Sequence, residues 1–220
     1  LPDDLDVLSR PVTYLTWEVQ ATDGRSHRVQ LYFEAGAEIT VNTGSQLVTG
    51  APEKVRGLSV LRLGSQDQPI LAKKGDDLRI DWGYLYVGMA APVKTYAGVH
   101  DRSAAYAEIA KGAWPGPASL LAPDTSTNAD RVVAACIMEL GPGSSPPVSR
   151  WLMLAYDDLY SIQYMRKNLR PYWRRNGWEA ADLLKASAKE YESLRQRCAA
   201  FDAELMADLD ATVAWAKAHG

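Results

Sequence analysis

The first hundred residues alternate between apolar and polar positions, as strands with one buried face do. In residues 11–20, one face carries Thr13, Leu15, Trp17 and Val19. Asp23 and Gly24 then supply a turn signal, and residues 27–34 resume the alternation. The two runs predict a β-hairpin closed by an Asp-Gly turn.

Further runs continue the β pattern, separated by Gly, Pro, Asn and Asp turn residues. They are residues 39–42, 46–49, 55–63, 78–89 and 93–99. Residues 103–111 predict a short helix. Two later runs, 131–140 and 149–156, are apolar at successive positions, so we expect both in the middle of a sheet, covered on two faces. The pattern predicts a mainly β fold, a two-layer antiparallel β-sandwich.

The period changes after Asp158, because apolar residues then recur every three or four positions, as on one stripe of an α-helix. The stripe is Leu184, Ala188, Tyr191, Leu194, Cys198, Phe201, Leu205, Leu209 and Val213. Residues 178–219 contain neither Gly nor Pro, and a single helix of that length would extend roughly 60 Å. We therefore expect either a break, or a helix built to pack on helices that this chain lacks. In the second case, we expect partial exposure of Leu194, Phe201, Leu205 and Leu209.

The composition is that of an ordinary globular protein and argues against two kinds of partner. Charged residues make up 23% of the 220 residues, and the net charge of -3 offers no field for holding nucleic acid. No apolar run approaches the roughly 20 residues of a membrane span. Eleven Tyr and seven Trp stand against two Phe. So many rings with polar tips indicate places where one edge is dry and the other wet, at a sugar platform or a domain interface.

Two adjacent carboxylates, Asp157 and Asp158, follow the run at 149–156 and are the candidate catalytic residues. Neighbouring carboxylates at a strand end can polarise water, one acting as base while the other stays protonated. The alternative is a helix N-cap, in which an Asp accepts hydrogen bonds from free backbone N–H groups. Adjacent side chains diverge in direction, so we expect at most one of the pair to face a given cleft.

The segment Asp81-Trp82-Gly83-Tyr84 is the candidate substrate-binding element, because it sets the Asp81 carboxylate beside the rings of Trp82 and Tyr84. A carboxylate next to a stacking ring is typical of sugar-binding surfaces. The alternative places Trp82 inward in a strand, or over the interface to a helical domain. The three His and two Cys residues lack the spacing of metal ligands, so the sequence predicts no metal site and no cofactor.

Several separated blocks resemble the glutaminase A family and come in the family's order. The N-terminal blocks are Arg10-Pro-Val-Thr-Tyr-Leu15, Asp23-Gly-Arg-Ser-His-Arg-Val-Gln-Leu-Tyr-Phe33 and Ala37-Glu38. The central block is Ile80-Asp-Trp-Gly-Tyr-Leu-Tyr-Val87. The C-terminal blocks are Ala155-Tyr-Asp-Asp-Leu-Tyr-Ser-Ile-Gln-Tyr164, Tyr172-Trp173 and Glu190-Tyr-Glu-Ser-Leu-Arg-Gln-Arg-Cys-Ala-Ala-Phe-Asp202. The resemblance extends from residue 10 to about residue 210.

The resemblance implies hydrolysis of the side-chain amide of L-glutamine to L-glutamate and ammonia, by a secreted or periplasmic multidomain protein. It divides the chain into an N-terminal β-sandwich domain, residues 1–157, and the start of a helical-hairpin domain, residues 158–220. The latter would hold one or two α-helices of an (α/α) toroid. Because so few helices cannot enclose a substrate cavity, we expect an accessory domain that is not catalytic alone. Its partner would be the helical catalytic domain of the same parent chain.

Two alternatives from the carbohydrate field stay open. A sandwich followed by a helical toroid also recurs in glycoside hydrolases, in which carboxylates act as acid and base. The excess of Trp and Tyr suits contact with a glycan substrate. A plain glycan-binding module is the other alternative, and it predicts exposed, coplanar Trp or Tyr rings on one sheet face.

Overall fold

A computed structural model describes residues 1–90, 95–142 and 147–219 and shows a mainly β fold with a C-terminal helix. The helices are α1 (Leu5–Leu8), α2 (Arg102–Ile109) and α3 (Ala180–His219). The strands are β1 (Val12–Val19), β2 (Arg28–Gly36), β3 (Leu47–Val55), β4 (Leu58–Ser65), β5 (Tyr84–Ala90), β6 (Thr95–Asp101), β7 (Thr127–Asn128), β8 (Val132–Pro142), β9 (Val148–Asp157), β10 (Ile162–Tyr164) and β11 (Lys167–Leu169). Three 3₁₀ turns lie at Ala37–Thr40, Ala129–Arg131 and Tyr172–Arg174.

Two antiparallel sheets enclose the main core in a sandwich-like arrangement. The larger sheet has the strand order β1-β9-β5-β4-β3-β7, and the smaller has the order β2-β8-β6. Leu63, Val87 and Leu152 come from the larger sheet and pack with Val99 and Met138 of the smaller one. The alternating side of each strand therefore faces the other sheet, as the period of two requires.

The two runs that are apolar at successive positions lie in the middle of sheets, so this prediction is confirmed. β8 pairs with β2 on one side and β6 on the other, and β9 lies between β1 and β5. The second face of β9 is covered by the helical segment, where Met153 and Ala155 are buried in a separate cluster with residues of α3. A strand that is covered on both faces carries apolar residues on both, which explains why its sequence is apolar at successive positions.

The predicted hairpin of residues 11–34 is wrong. β1 pairs with β9 in the larger sheet, whereas β2 pairs with β8 in the smaller sheet. The Asp23-Gly24 turn, with Gly24 at a φ of 72°, thus belongs to a crossover between sheets. Alternation shows which face of a strand is buried, but not which strand pairs with it. The buried faces of β1 and β2 do meet, because the rings of Trp17 and Phe33 pack edge-to-face across the core with centroids 6.2 Å apart.

Several predicted runs have different bounds in the structure. Residues 39–42 overlap a 3₁₀ turn instead of a strand, and the run 78–89 is extended only from Tyr84 onward. The run 55–63 begins at the end of β3, turns at Gly57 with a φ of 81°, and continues as β4. Residues 93 and 94 of the run 93–99 lie outside the described residues. The helix at 103–111 is confirmed as α2, whose N-cap Asp101 accepts a hydrogen bond from the Ala104 N–H at 3.0 Å.

Helical structure does not begin directly after Asp158. The two-stranded hairpin β10/β11 and the 3₁₀ turn Tyr172–Arg174 come first, and α3 begins at Ala180. From there α3 runs unbroken for 40 residues, so the expectation of a break is wrong and the alternative of one long helix stands. In the described part of the chain, no helix is long and apolar enough to cross a membrane.

The stripe of α3 is covered along only part of its length. Leu183, Leu184, Tyr191 and Leu194 are buried, and no described residue of α3 after Leu194 is. The predicted exposure is confirmed for Leu205 and Leu209, which are 47% and 50% exposed. Phe201 is partly exposed, as predicted. For Leu194, which is only 7% exposed, the prediction is wrong.

Candidate functional site

Asp157, the last residue of β9, is held in a buried ion pair. Asp157 is 1% exposed, and its carboxylate accepts hydrogen bonds from the Arg174 guanidinium through both oxygens. Oδ1 also accepts a hydrogen bond from the Leu159 N–H at 3.0 Å. Arg174 itself is 3% exposed. A carboxylate with both oxygens engaged by a guanidinium is well placed to position neighbouring chain segments, but not to take up a proton from water.

Arg174 links three segments at the seam between the larger sheet and α3. Besides Asp157, its Nη1 donates to the Glu179 carboxylate and, at 3.3 Å, to the Trp178 carbonyl. Its guanidinium lies 4.5 Å from the centroid of the Trp173 ring. Burial by itself would lower the pKa of Arg174, but the hydrogen bonds to Glu179 and Asp157 outweigh it and raise that pKa above its usual value. The Arg174 cation is therefore permanent.

Asp158 lies in different surroundings from Asp157. It is half-buried, and its carbonyl accepts a hydrogen bond from Trp82 Nε1 at 2.8 Å. The interpretation of Asp158 as a helix N-cap is wrong, because the hairpin β10/β11 follows it and α3 starts more than twenty residues later. Of the two predicted catalytic carboxylates, Asp158 is thus the one not committed to a buried ion pair.

Asp81 and Trp82 lie at the same seam but do not form an open platform. Asp81 is 1% exposed and accepts hydrogen bonds from Lys73 Nζ at 2.5 Å and Gln46 Nε2 at 3.2 Å. Trp82 Nε1 donates to the carbonyls of Asp158 and Tyr160, and the Trp82 carbonyl accepts from Tyr156 Oη at 2.7 Å. The indole therefore fastens the loop after β9.

Gly83 explains why the two candidate segments meet so closely. Its φ is 84°, and a Cβ at this position would lie 2.2 Å from the Asp157 carbonyl oxygen. Only a residue without a side chain fits both the conformation and the approach. The structure therefore brings Tyr84 into register opposite Asp157, as neighbouring strands require.

Tyr84 faces the helix side of the larger sheet, not a cleft. It packs against the second buried cluster, and the guanidinium of Arg62 lies 4.7 Å from its ring centroid. Of the five predicted site residues, Asp81, Trp82 and Asp157 thus have their polar side-chain groups bonded to protein. Their roles in catalysis and in substrate binding stay predictions. Among the residues that the structure describes, no three His, Cys, Asp or Glu side chains group as metal ligands do.

The sequence did not single out the residues that fasten α3 to the sheet. Tyr191 stacks on Trp151 with ring centroids 4.4 Å apart, and its hydroxyl lies 2.8 Å from Thr16 Oγ1. Tyr14 Oη donates to the Ser187 carbonyl at 2.8 Å, and Arg10 pairs with Glu190 at 2.7 Å. The signal for this interface was the excess of Tyr and Trp, because such rings suit a boundary with one dry and one wet edge.

Arg174 left no comparable signal. It lies in the run Arg170-Pro-Tyr-Trp-Arg-Arg175, in which all three arginines have aromatic or proline residues close by in sequence. Nothing in that run separates the buried arginine from its exposed neighbours, because its partner Asp157 is 17 residues away. A long-range buried ion pair is visible only after folding.

A comparison with curated proteins finds no match. A domain family does match, DUF5127, which is described as a domain of unknown function, and the match covers residues 1–208. The matched range includes both sheets, the seam with Asp157 and Arg174, and most of α3. The chain therefore belongs to the DUF5127 family.

Proposed function

We propose that this chain is the N-terminal accessory domain of a glutaminase A-like amidohydrolase, which converts L-glutamine to L-glutamate and ammonia. In this proposal the β-sandwich carries α3 as a rigid strut, and α3 packs with a helical toroid domain of the same parent chain. That domain completes the catalytic site. The family resemblance supplies the reaction, and it also implies a secreted or periplasmic location.

The observation that carries the proposal is the apolar row on the outer part of α3. Four large apolar residues on one face are between 47% and 56% exposed there: Leu205, Met206, Leu209 and Val213. A row of this kind is typical of a helix that buries one face against other helices. Four acidic residues accompany it, Asp202, Glu204, Asp208 and Asp210, against the single basic Lys217. The proposed partner surface is therefore apolar at its centre and basic at its edges.

The inner part of α3 supports the role of a strut. Leu183 and Leu184 are fully buried against the sheet, and Arg174 ties the start of the helix to Asp157 at the end of β9. A helix anchored over its first four turns projects its remainder in a fixed direction. Asp158, half-buried at the same seam, is the carboxylate that this arrangement can lend to a cleft between the two domains.

The reaction is tested by measuring ammonia release from L-glutamine by this chain and by the parent protein in which a helical domain follows it. Controls omit glutamine or use heat-inactivated protein. We expect turnover by the parent alone. Turnover by this chain would contradict the accessory role, and turnover by neither would contradict the amidohydrolase assignment.

The docking face is tested with Leu205→Glu and Leu209→Glu. Both should leave the melting temperature of this chain unchanged, because the residues are exposed, and both should weaken binding to a separately produced helical domain. Ala207→Glu is the matched control, since position 207 lies two residues from each, on the opposite face of the helix. Equal binding by all three variants would contradict the assignment of this face.

In the parent protein, Asp158→Asn should lower kcat with little change in melting temperature if Asp158 serves the reaction. Asp157→Asn should lower the melting temperature, because it weakens the buried pair with Arg174. The reverse pattern would move the catalytic assignment to Asp157.

A further inference from the structure

The outer face of the smaller sheet holds an open pocket that lies away from the seam. The pocket has a volume of about 560 Å³ and is lined mainly by Gln30, Tyr96, Trp114, Ile137 and Glu139. This volume is in the range of pockets that hold small organic ligands. The seam with α3, by contrast, lies on the larger sheet, so neither the catalytic nor the docking proposal uses this pocket.

The strand register explains how the pocket is built. Ile137 of β8 pairs with Tyr32 of β2 on one side and with Tyr96 of β6 on the other, so the three side chains form a row across the sheet. Strands two places apart are separated by roughly 10 Å. Trp114 stacks on Tyr32 at 5.9 Å with an interplanar angle of 25°. Trp114 and Tyr96 therefore form two aromatic walls, with Ile137 as the floor between them.

The Trp114 wall is fixed in place before any ligand arrives. Its Nε1 donates to Gln30 Oε1 at 3.0 Å. The loop that follows it is braced by Glu108, whose carboxylate accepts hydrogen bonds from the Gly116 N–H at 2.8 Å and from Ser119 Oγ at 2.7 Å. A ring held by stacking and hydrogen bonding loses little freedom on binding, so its contact area is converted efficiently into affinity.

The walls remain accessible, and the polar groups lie at the rim. Trp114 is 39% exposed and Tyr96 is 40% exposed. Gln30 and Glu139 are cross-strand partners, and they supply amide donors and carboxylate acceptors beside the rings. The charge at the rim comes from Glu139 and from Arg28, which pairs with it at 3.0 Å. The two charges compensate each other, and none of the described residues that line the pocket is a cation for a phosphate or carboxylate ligand.

We propose that this pocket binds a neutral glycan. A pyranose ring presents apolar C–H faces and a rim of hydroxyl groups, so it is complementary to two aromatic walls flanked by an amide and a carboxylate. The pocket is a recognition site on the β domain, and it does not depend on the amidohydrolase reaction. Its role is to hold the protein on polysaccharide.

The test uses isothermal titration calorimetry of this chain with four hexaoses, those of β-1,4-glucose, β-1,4-xylose, β-1,4-mannose and α-1,4-glucose. We expect at least one of them to bind. Trp114→Ala and Tyr96→Ala should each weaken that binding about tenfold, since each removes one stacking wall. Tyr164→Ala is the control, because Tyr164 is an aromatic residue in β10 that is 60% exposed, and it should bind like the unmodified chain.

Loss of folding is separated from loss of the site by a second variant. Trp114→Phe keeps an aromatic ring on Tyr32 while it removes the hydrogen bond to Gln30 and part of the ring surface, so it should retain more of the affinity than Trp114→Ala. Melting temperatures of all variants are compared with that of the unmodified chain. Failure of all four hexaoses to bind would overturn the proposal, as would binding that Trp114→Ala leaves unchanged. Binding of an apolar peptide in their place would also overturn it. None of these outcomes bears on ammonia release, so the two proposals fail independently.

Discussion

The two parts of α3 carry the same apolar stripe but lie in opposite surroundings. The inner part, with Leu183, Leu184 and Tyr191, is buried on the larger sheet, whereas Leu205 and Leu209 of the outer part are about half exposed. The difference therefore does not come from hydrophobic periodicity, which is shared. It comes from what the rest of the fold presents at each end. The inner part meets a sheet face with its own apolar residues, such as Val60, Met153 and Ala155.

Polar contacts reinforce the same difference. The inner part is joined to the sheet by Tyr14, Tyr191 and the Arg10–Glu190 pair, and the segment before it is joined by Arg174 and Asp157. Arg197 still reaches Asp4 outside the helix at 2.6 Å. In the outer part, from Cys198 onward, the described polar contacts stay within the helix, as in the bond from Thr212 Oγ1 to the Asp208 carbonyl at 2.8 Å. Anchoring and docking are thus separated along one helix.

The largest effect is expected from breaking the buried ion pair between Asp157 and Arg174. The inner part of α3 would then lose an anchor to the sheet, and the described residues of the outer part have no such anchor. Arg174→Met leaves Asp157 charged and unpaired in a site where it is 1% exposed. We expect a loss of about 3–5 kcal/mol in the free energy of unfolding, measured by urea denaturation. Arg175→Met is the control, since Arg175 forms a surface pair with Asp6 and should cost at most about 1 kcal/mol.

The double variant Asp157→Leu with Arg174→Met sharpens this result. No buried charge remains unpaired in it, so part of the lost stability should return. Equal losses from Arg174→Met and Arg175→Met would show that the buried pair does not anchor the helix.

The second effect compares matched leucines in the two parts. Leu184 is fully buried, and Leu184→Ala should lower the free energy of unfolding by about 2–5 kcal/mol through lost burial and the cavity left behind. Leu209 is 50% exposed, so Leu209→Ala should change it by no more than about 0.5 kcal/mol. Thermal and urea unfolding at several protein concentrations provide the measurement. A large loss from Leu209→Ala that depends on concentration would mean that the outer part is covered by a second copy in solution.

These comparisons also show which structural features could be predicted from the sequence. Local periodicity was sufficient for the mainly β fold, for the central positions of β8 and β9, and for the helix α3. It was insufficient for the partner of β1, because alternation reports burial and not edge pairing. The short hairpin β10/β11 was also missed. Both of its strands have only three residues, all of them exposed, so no buried face imposed a pattern on the sequence.

The site was harder to predict than the fold. Adjacent Asp157 and Asp158 looked alike in sequence, yet only Asp157 meets Arg174. That contact depends on the whole segment 158–173 folding back along the sheet. Likewise, Trp82 looked like a possible platform, but its indole N–H is bonded to the Asp158 carbonyl at 2.8 Å. The pocket at Trp114 was not predicted, because the residues that line it come from separate segments of the chain.

A smaller effect is expected from removing one hydrogen bond between the inner part of α3 and the sheet. Tyr191→Phe keeps the ring on Trp151 but removes the hydroxyl that lies 2.8 Å from Thr16 Oγ1. We expect a loss of about 1 kcal/mol in the free energy of unfolding. Tyr164→Phe is the control, because Tyr164 is 60% exposed. In a double-mutant cycle with Thr16→Val, the combined loss should be smaller than the sum of the two, and full additivity would argue against a direct bond.

The smallest effect concerns the pH dependence of the anchor at the start of α3. The hydrogen bond from Arg174 lowers the pKa of Glu179 below its ordinary value of 4.5, with a further contribution from Arg170. A carboxyl whose pKa is lower in the folded state stabilises the fold above its unfolded pKa, and this stabilisation is lost as the pH falls through the folded pKa. Because the Glu179 side chain is 57% exposed, screening limits its contribution to at most about 1 kcal/mol.

Glu179→Gln should therefore be less stable than the unmodified chain at neutral pH. The gap between their urea midpoints should stay constant down to about pH 4.5 and close below it, as Glu179 becomes protonated and neutral like the amide. Added salt at about 0.5 M should narrow the gap at neutral pH, because the pair is exposed to counterions. A gap that persists in acid would mean that Glu179 acts on α3 through geometry and not through its charge.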